Sequence, residues 1–217
     1  MTKHSAPEID ARFTSRTDET IRHQLLAHDN VMQRVTQGLT REIALAAHIM
    51  LDTLTSGGKA VFFGNGGGAA CAQYWASILL GRYNTERRGV PGIALTADTA
   101  VITNIGNDYG YHHIFARQVE AWVQAGDVVV GICANGLATN VLAGVRMAQK
   151  AGARTIGLSG GDGGQLAAMV DQAIVVPSTE TPRIHEAHVV IAHVVCRLLD
   201  QGLLNPGSTK LVSGIST

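Results

Sequence analysis

Three segments carry the groups that could do chemistry. Residues 64–68 read GNGGG at the end of the apolar run KAVFFGN, and a helical pattern follows. Glycines at a strand-to-helix turn leave backbone N–H groups free for an anion, so Asn65, Gly66, Gly67 and Gly68 are candidate phosphate contacts. Residues 133–138, CANGLA, follow a second apolar run in the same way and offer Asn135 and Gly136. The stretch HEAHVVIAH places His185, His188 and His193 on one helical segment, with Glu186 beside the first. Neutral imidazole is a common zinc ligand, which raises a metal reading. His185 and His193 stand eight residues apart, two turns and about 80° round a helix. One ion would therefore need ligands from elsewhere. The other reading is an interface helix with hydrogen-bonded histidines. The helix after GNGGG, AACAQYWASILL, carries little that could move a proton. Its lone Cys71 reads as a small core residue.

A chain of alternating elements must position these groups. From Asp18, the apolar residues Ile21, Leu25, Leu26, Val31, Met32 and Val35 recur at helical spacing. A second helix is predicted over 40–55 and ends at Gly57-Gly58. It is apolar on more than one face, which points to packing on two sides and a subunit interface. Strands are then predicted at KAVFFGN, GIALTA, DVVVGICA, RTIGLSG and QAIVVPS. Helices are predicted near 69–80, 99–106, 113–124, 138–151, 163–170 and 182–201. Buried β-rich runs alternating with helices imply an α/β fold, a parallel sheet covered on both faces. Ligands sit at the carboxyl ends of such strands. That gathers residues 64–68, 96–99, 133–139 and 159–164 round one crevice. Residues 1–18 read as a flexible arm, 19–204 as a single domain including the N-terminal helical pair, and 205–217 as a flexible tail.

Composition excludes several classes. Seventeen basic and seventeen acidic side chains cancel among 217 residues, and no basic block stands out, so direct nucleic-acid binding is not expected. The three cysteines, Cys71, Cys133 and Cys196, include no C-x-x-C pair, which suits a reducing cytoplasm. No apolar leader and no stretch long enough to span a bilayer is read, so a cytoplasmic protein without membrane contact is expected.

Five blocks occur in a fixed order: GNGGG, ALTADTAVITNIGNDYGY, GDVVVGICANGLATNV, SGGDGGQLA and TPRIHEAHVVIAHVV. Together they resemble the SIS (sugar isomerase) domain and, within it, the phosphoheptose isomerases, over roughly residues 20–203. Those enzymes interconvert sedoheptulose 7-phosphate and a mannoheptose 7-phosphate. The resemblance implies a flavodoxin-like, doubly wound sheet and a homotetramer built on the N-terminal helices. It also implies active sites between subunits.

The resemblance also assigns roles. The family binds phosphate with a Ser after G-N-G-G and with a Ser-Thr-Ser-Gly-x-Ser turn. Here those positions are Gly68 and the run Cys133, Ala134, Asn135, Gly136, Leu137, Ala138, so every hydroxyl is replaced. Each lost donor should cost about 0.5–1.5 kcal/mol. Arg82, in GRY, matches a family residue that can reach the phosphate. A family His and Glu one turn apart on the next helix, metal ligand and base, are here Tyr74 and Ile78. The Asp of that turn is Cys71, and Ser77 precedes the Glu position. A Gln and a His on the last helix are here His185 and His193, so His193 is the surviving catalytic acid/base. His185 with His193 is what remains of a zinc site. Asp98 is either a sugar-hydroxyl contact or a helix N-cap. Asn107 and Asp108 also match the family and read as a turn.

Three functions follow. The first is an isomerase-type protein for a phosphorylated sugar, its activity placed in doubt by the replaced base, ligand and hydroxyls. The second is a non-catalytic tetramer acting through a protein partner. The related DnaA initiator-associating protein has this character, and its two partner-contacting apolar residues correspond to Leu203 and Leu204. The third is a partner subunit that completes the site of a catalytic paralogue.

Overall fold

The computed structural model describes residues 11–204. Two helices come first, α1 (Ala11–Gly38) and α2 (Thr40–Thr55). Five strands follow: β1 (Ala60–Gly64), β2 (Gly92–Ala94), β3 (Val128–Ile132), β4 (Arg154–Gly160) and β5 (Gln172–Val176). The helices between and after them are α3 (Gly67–Leu80), α4 (Thr99–Tyr109), α5 (Ala116–Trp122), α6 (Thr139–Lys150), α7 (Gly164–Met169) and α8 (Thr181–Leu204). All strands pair in parallel, in the order β2-β1-β3-β4-β5. This is the expected doubly wound, flavodoxin-like sheet.

β1 and β3 are buried along their whole length, as central strands covered on both faces must be. Alternate side chains feed two cores. Phe62 stacks on Trp75 of α3 and joins a core with α1, α2, α3 and α8. Phe63 stacks on Phe115 and joins a core with α5, α6 and α7. The chain leaves β1 toward β2 on one side and returns as β3 on the other. The turns after β1 and β3 thus flank the switch in strand order, where a crevice opens.

α3 and α8 lie side by side and run the same way, since Gly67 meets His185 and Tyr74 meets His193. The far end of this pair is fixed by a buried ion pair. Arg87 Nε bonds Asp200 Oδ1 at 2.6 Å, and its other nitrogens bond the last carbonyls of α3, including those of Ile78 and Leu79.

Three expectations change. α1 already runs from Ala11, so residues 11–18 are helical rather than part of an arm. Ala11, Arg12 and Arg16 are residue types that favour helix even in a polar stretch. The rest of the arm, and the tail over 205–217, lie outside the described residues. The helix expected over 113–124 divides, because Gly110 (φ +87°) stops α4, a single turn spans Tyr111–His113, and α5 starts afterwards. α8, with 24 residues, does reach the length and apolar content of a bilayer span, contrary to the sequence reading. Eleven of its residues are buried in this fold, which explains its apolar character. α2 packs on more than one element, as expected, against α8, β5 and β1 of its own chain.

Candidate functional site

The turn after β1 is built from glycines for steric reasons. Gly66 precedes α3 at φ +53°, a conformation that strains other residues. A Cβ on Gly67 would run into the His185 ring. A Cβ on Gly68 would come within 2.9 Å of the Ile132 carbonyl oxygen. The hydroxyl lost at position 68 thus goes with a close approach of the turn to β3. What remains for an anion are backbone N–H groups at the start of α3. Asn65 is held by its own network. Its Nδ2 donates to Asn140 Oδ1 at 2.8 Å, Asn140 Nδ2 donates back to Asn65 Oδ1 at 2.9 Å, and the Tyr111 hydroxyl donates to the same oxygen at 3.1 Å.

The turn after β3 is closed by substitutes for hydroxyls. Cys133 Sγ bonds Asn135 Oδ1 at 3.2 Å and accepts from the Ala138 N–H at 3.4 Å. Asn135 Oδ1 also accepts from the Leu137 N–H. Gly136, at φ +66°, lies hard against Gly163 and Gly164 of the next loop. Asn65, Gly66, Gly67, Asn135 and His185 line one cavity of about 350 Å³, with Ala134, Ala138 and Thr181 completing the wall. Gly68 and Gly136 are buried behind it. The cavity thus joins two of the four expected segments, 64–68 and 133–139; residues 96–99 do not line it, and Gly160, Gly161 and Asp162 line a neighbouring cavity.

The centre where proton transfer is expected is different. The Tyr74 hydroxyl is hydrogen-bonded to His193 Nε2 at 2.6 Å, and the two rings meet edge to face at 5.4 Å. The Tyr83 ring lies 5.6 Å from His193. Ile78 is buried in the core, where the family base would stand. His185 and His193 are separated by about 12 Å along α8. No cluster of three His, Cys, Asp or Glu side chains capable of holding a metal occurs among the described residues. A zinc ion needs ligand nitrogens or oxygens about 2 Å away on several sides. The pair His185 and His193 does not meet that need, so the metal reading is corrected: within the chain, zinc does not fit this donor set.

The other titratable groups have defined partners. Burial holds the His185 imidazole below its ordinary value, which keeps it neutral at pH 7. His188 is wholly buried; its Nε2 bonds the Ser159 carbonyl at 3.2 Å and its Nδ1 has no partner. Burial pulls its pKa down to about 4, with His185 pushing the same way and the Ser159 bond opposing. Burial raises the Glu186 carboxyl, but hydrogen bonds from Arg183 and His28 outweigh this and lower it. Glu186 is thus tied toward α1, at 2.9 Å from His28 Nδ1, and does not line the crevice.

Several candidates fall away from the crevice. Arg82 lies beyond the far end of α3, about 20 Å along that helix from Gly67. Its side chain is 63% exposed, 3.9 Å from Glu86. Asp98 caps α4 by accepting from the Val101 N–H at 3.0 Å. Asn107 and Asp108 bond each other inside α4 rather than forming a turn. Burial raises the Cys71 thiol to about 11 and the Cys196 thiol to about 12, consistent with core residues. Leu203 packs on the core while Leu204 is exposed, so the apolar pair at the end of α8 is split. Sequence reasoning missed Tyr111, Asn140 and Thr181. Each lies inside a block the sequence had singled out, at its end, near its end and at its start respectively.

A model of the SIS domain matches residues 26–160. The chain is 47% identical to the phosphoheptose isomerase of Geotalea daltonii, over 85% of this chain and 96% of that protein. It is 46% identical to that of Aliarcobacter butzleri, over 83% and 95%. The fold superposes on phosphoheptose isomerase GmhA from Neisseria gonorrhoeae with a TM-score of 0.80 and 37% identity, covering 85% of this chain and 99% of that one. For a phosphoheptose isomerase from Francisella tularensis the TM-score is 0.83 at 36% identity, covering 85% and 98%.

Proposed function

The chain belongs to the SIS domain family, and from that premise we propose that it binds a phosphorylated sugar of the sedoheptulose 7-phosphate class without isomerising it. The binding half of this reading is supported by the cavity at the switch in strand order and by the level of identity to phosphoheptose isomerases. The catalytic half is carried by one observation: the Tyr74 hydroxyl engages His193 Nε2, with Ile78 buried one turn further along α3.

An aldose–ketose isomerisation needs a base beside the carbonyl and a second group to move protons between oxygens. His193 faces a phenol, and no carboxylate lines the Gly-rich cavity. His185 is the titratable side chain on its wall. As a neutral imidazole it can hydrogen-bond a sugar oxygen, and a single such group does not complete the relay. Zinc, which the family resemblance implies, has no fitting ligand set among the described residues, so no step passes through it.

In this reading the protein is a cytoplasmic homotetramer. Support for assembly comes from Ile21, Leu25 and Leu26, exposed along α1. The same exposed face also favours a second reading, association with a catalytic paralogue.

Calorimetric titration of the full chain with sedoheptulose 7-phosphate, paired with an assay for mannoheptose 7-phosphate, tests the proposal. Saturable heat with no product is the expected result. Product formation that is abolished by His193→Ala would overturn the non-catalytic half. No heat at millimolar ligand would overturn the binding half.

A further inference from the structure

The Gly-rich cavity keeps backbone N–H groups and Asn135 for an anion but lacks the hydroxyls at positions 68 and 133–138, whereas the space next to it is richer in charged and hydroxyl groups. A second cavity, of about 640 Å³, opens over the carboxyl ends of β3, β4 and β5. The two share Ala134, Asn135 and Thr181, so they are compartments of one trough. The second is lined by Arg34, reaching in from α1, and by Ser178, Thr179 and Thr181.

These four side chains have unmet hydrogen-bonding capacity. Arg34 pairs with no carboxylate among the described residues, although His28 of α1 meets Glu186 of α8 elsewhere. Ser178 Oγ accepts from the Glu180 N–H, which leaves its own proton free. The hydroxyls of Thr179 and Thr181 donate to no described residue. The one acid on this wall, Asp162, turns one oxygen to the Gly164 N–H and keeps the other free to accept. A cation and three hydroxyl donors round one space match the oxygens of a phosphate. Asp162 shares this compartment, where its free oxygen can accept only from a protonated oxygen, such as that of a hydrogen phosphate, and the Arg34 charge offsets its own. The Gly-rich compartment, walled by Ala134 and Ala138, holds no Lys or Arg and no hydroxyl other than that of the shared Thr181.

We propose that the phosphate of the bound sugar sits in the Arg34 compartment, with the sugar chain extending past Thr181 toward His185. This rests on the phosphosugar reading above and relocates the ligand's charged end from the GNGGG and CANGLA turns. The site's selectivity then lies in its phosphate contacts on α1 and on the loop before α8.

Titrations of the full chain with sedoheptulose 7-phosphate, with inorganic phosphate as competitor, test this. Arg34→Gln should weaken binding at least tenfold. Thr179→Val, on the loop between β5 and α8, should weaken it about threefold or more. Lys150→Gln, which removes a surface cation at the end of α6, should leave it unchanged. Melting temperatures matching wild type would show that both weakened variants are folded. Unchanged binding by Arg34→Gln and Thr179→Val, with wild type still saturable, would overturn this placement and leave the phosphosugar reading standing. No binding by wild type would overturn both.

Discussion

At the scale of single residues, the replaced site is a fitted structure. Tyr74 fills the place of a ligand by bonding the surviving His193, and Ile78 fills the place of a base by joining the core. Restoring the family residues is therefore not two equivalent edits. Tyr74 is 42% exposed, so Tyr74→His should be tolerated. Ile78→Glu would bury a carboxylate without a partner and should cost about 3 kcal/mol in urea unfolding at pH 7. An unchanged unfolding midpoint would show that the carboxylate reaches solvent or a partner subunit. The identity of both replacements was legible in the sequence, because a resemblance aligns positions. Their new contacts were not. Nothing in the spacing of residues 74 and 193 says that a phenol and an imidazole would meet, since the packing of α3 on α8 decides it.

At the scale of elements, α8 does two jobs. One stripe packs under the sheet, and another presents His185 to the crevice. His188 belongs to the first stripe and links the helix to the end of β4 through the Ser159 carbonyl. It is held neutral when folded, with a pKa near 4 against 6.5 for an unhindered imidazole. Above pH 6.5 neither the folded nor the unfolded chain carries that proton, and the bond contributes in full. As pH falls from 6.5 toward 4 the unfolded chain takes up a proton that the folded chain refuses, so stability declines. The loss approaches about 3 kcal/mol below pH 4. Urea unfolding at pH 7.5 and 4.5 should show a fall in stability for wild type that is clearly smaller in His188→Gln. Equal falls would mean that other groups govern the acid response. The helix itself was legible from its apolar periodicity. Which histidine faced inward was not, because 185, 188 and 193 lie on neighbouring stripes and only the neighbouring strands distinguish them.

At the scale of the whole molecule, the α/β alternation and the crevice at the strand ends followed from hydrophobic runs and turn glycines. The start of α1 did not, because the first recurring apolar residue of its helical pattern is Ile21 and the stretch before it is mostly polar. Its outer residues Ile21, Leu25 and Leu26 are 51%, 62% and 66% exposed. Such a row on one helix marks a surface for association. Light scattering on the double variant Leu25→Asp, Leu26→Asp should report a smaller species than wild type. An unchanged mass would place the subunit contacts elsewhere. The reciprocal amide pair between Asn65 and Asn140 has a consequence at this scale too. It fastens the turn after β1 to the start of α6, so two sides of the crevice are joined by protein groups alone. A ligand arriving there has no loop to order first. Its association should rise in direct proportion to its concentration, with no slow isomerisation step. Differences between competing sugars should then appear in how long each one stays.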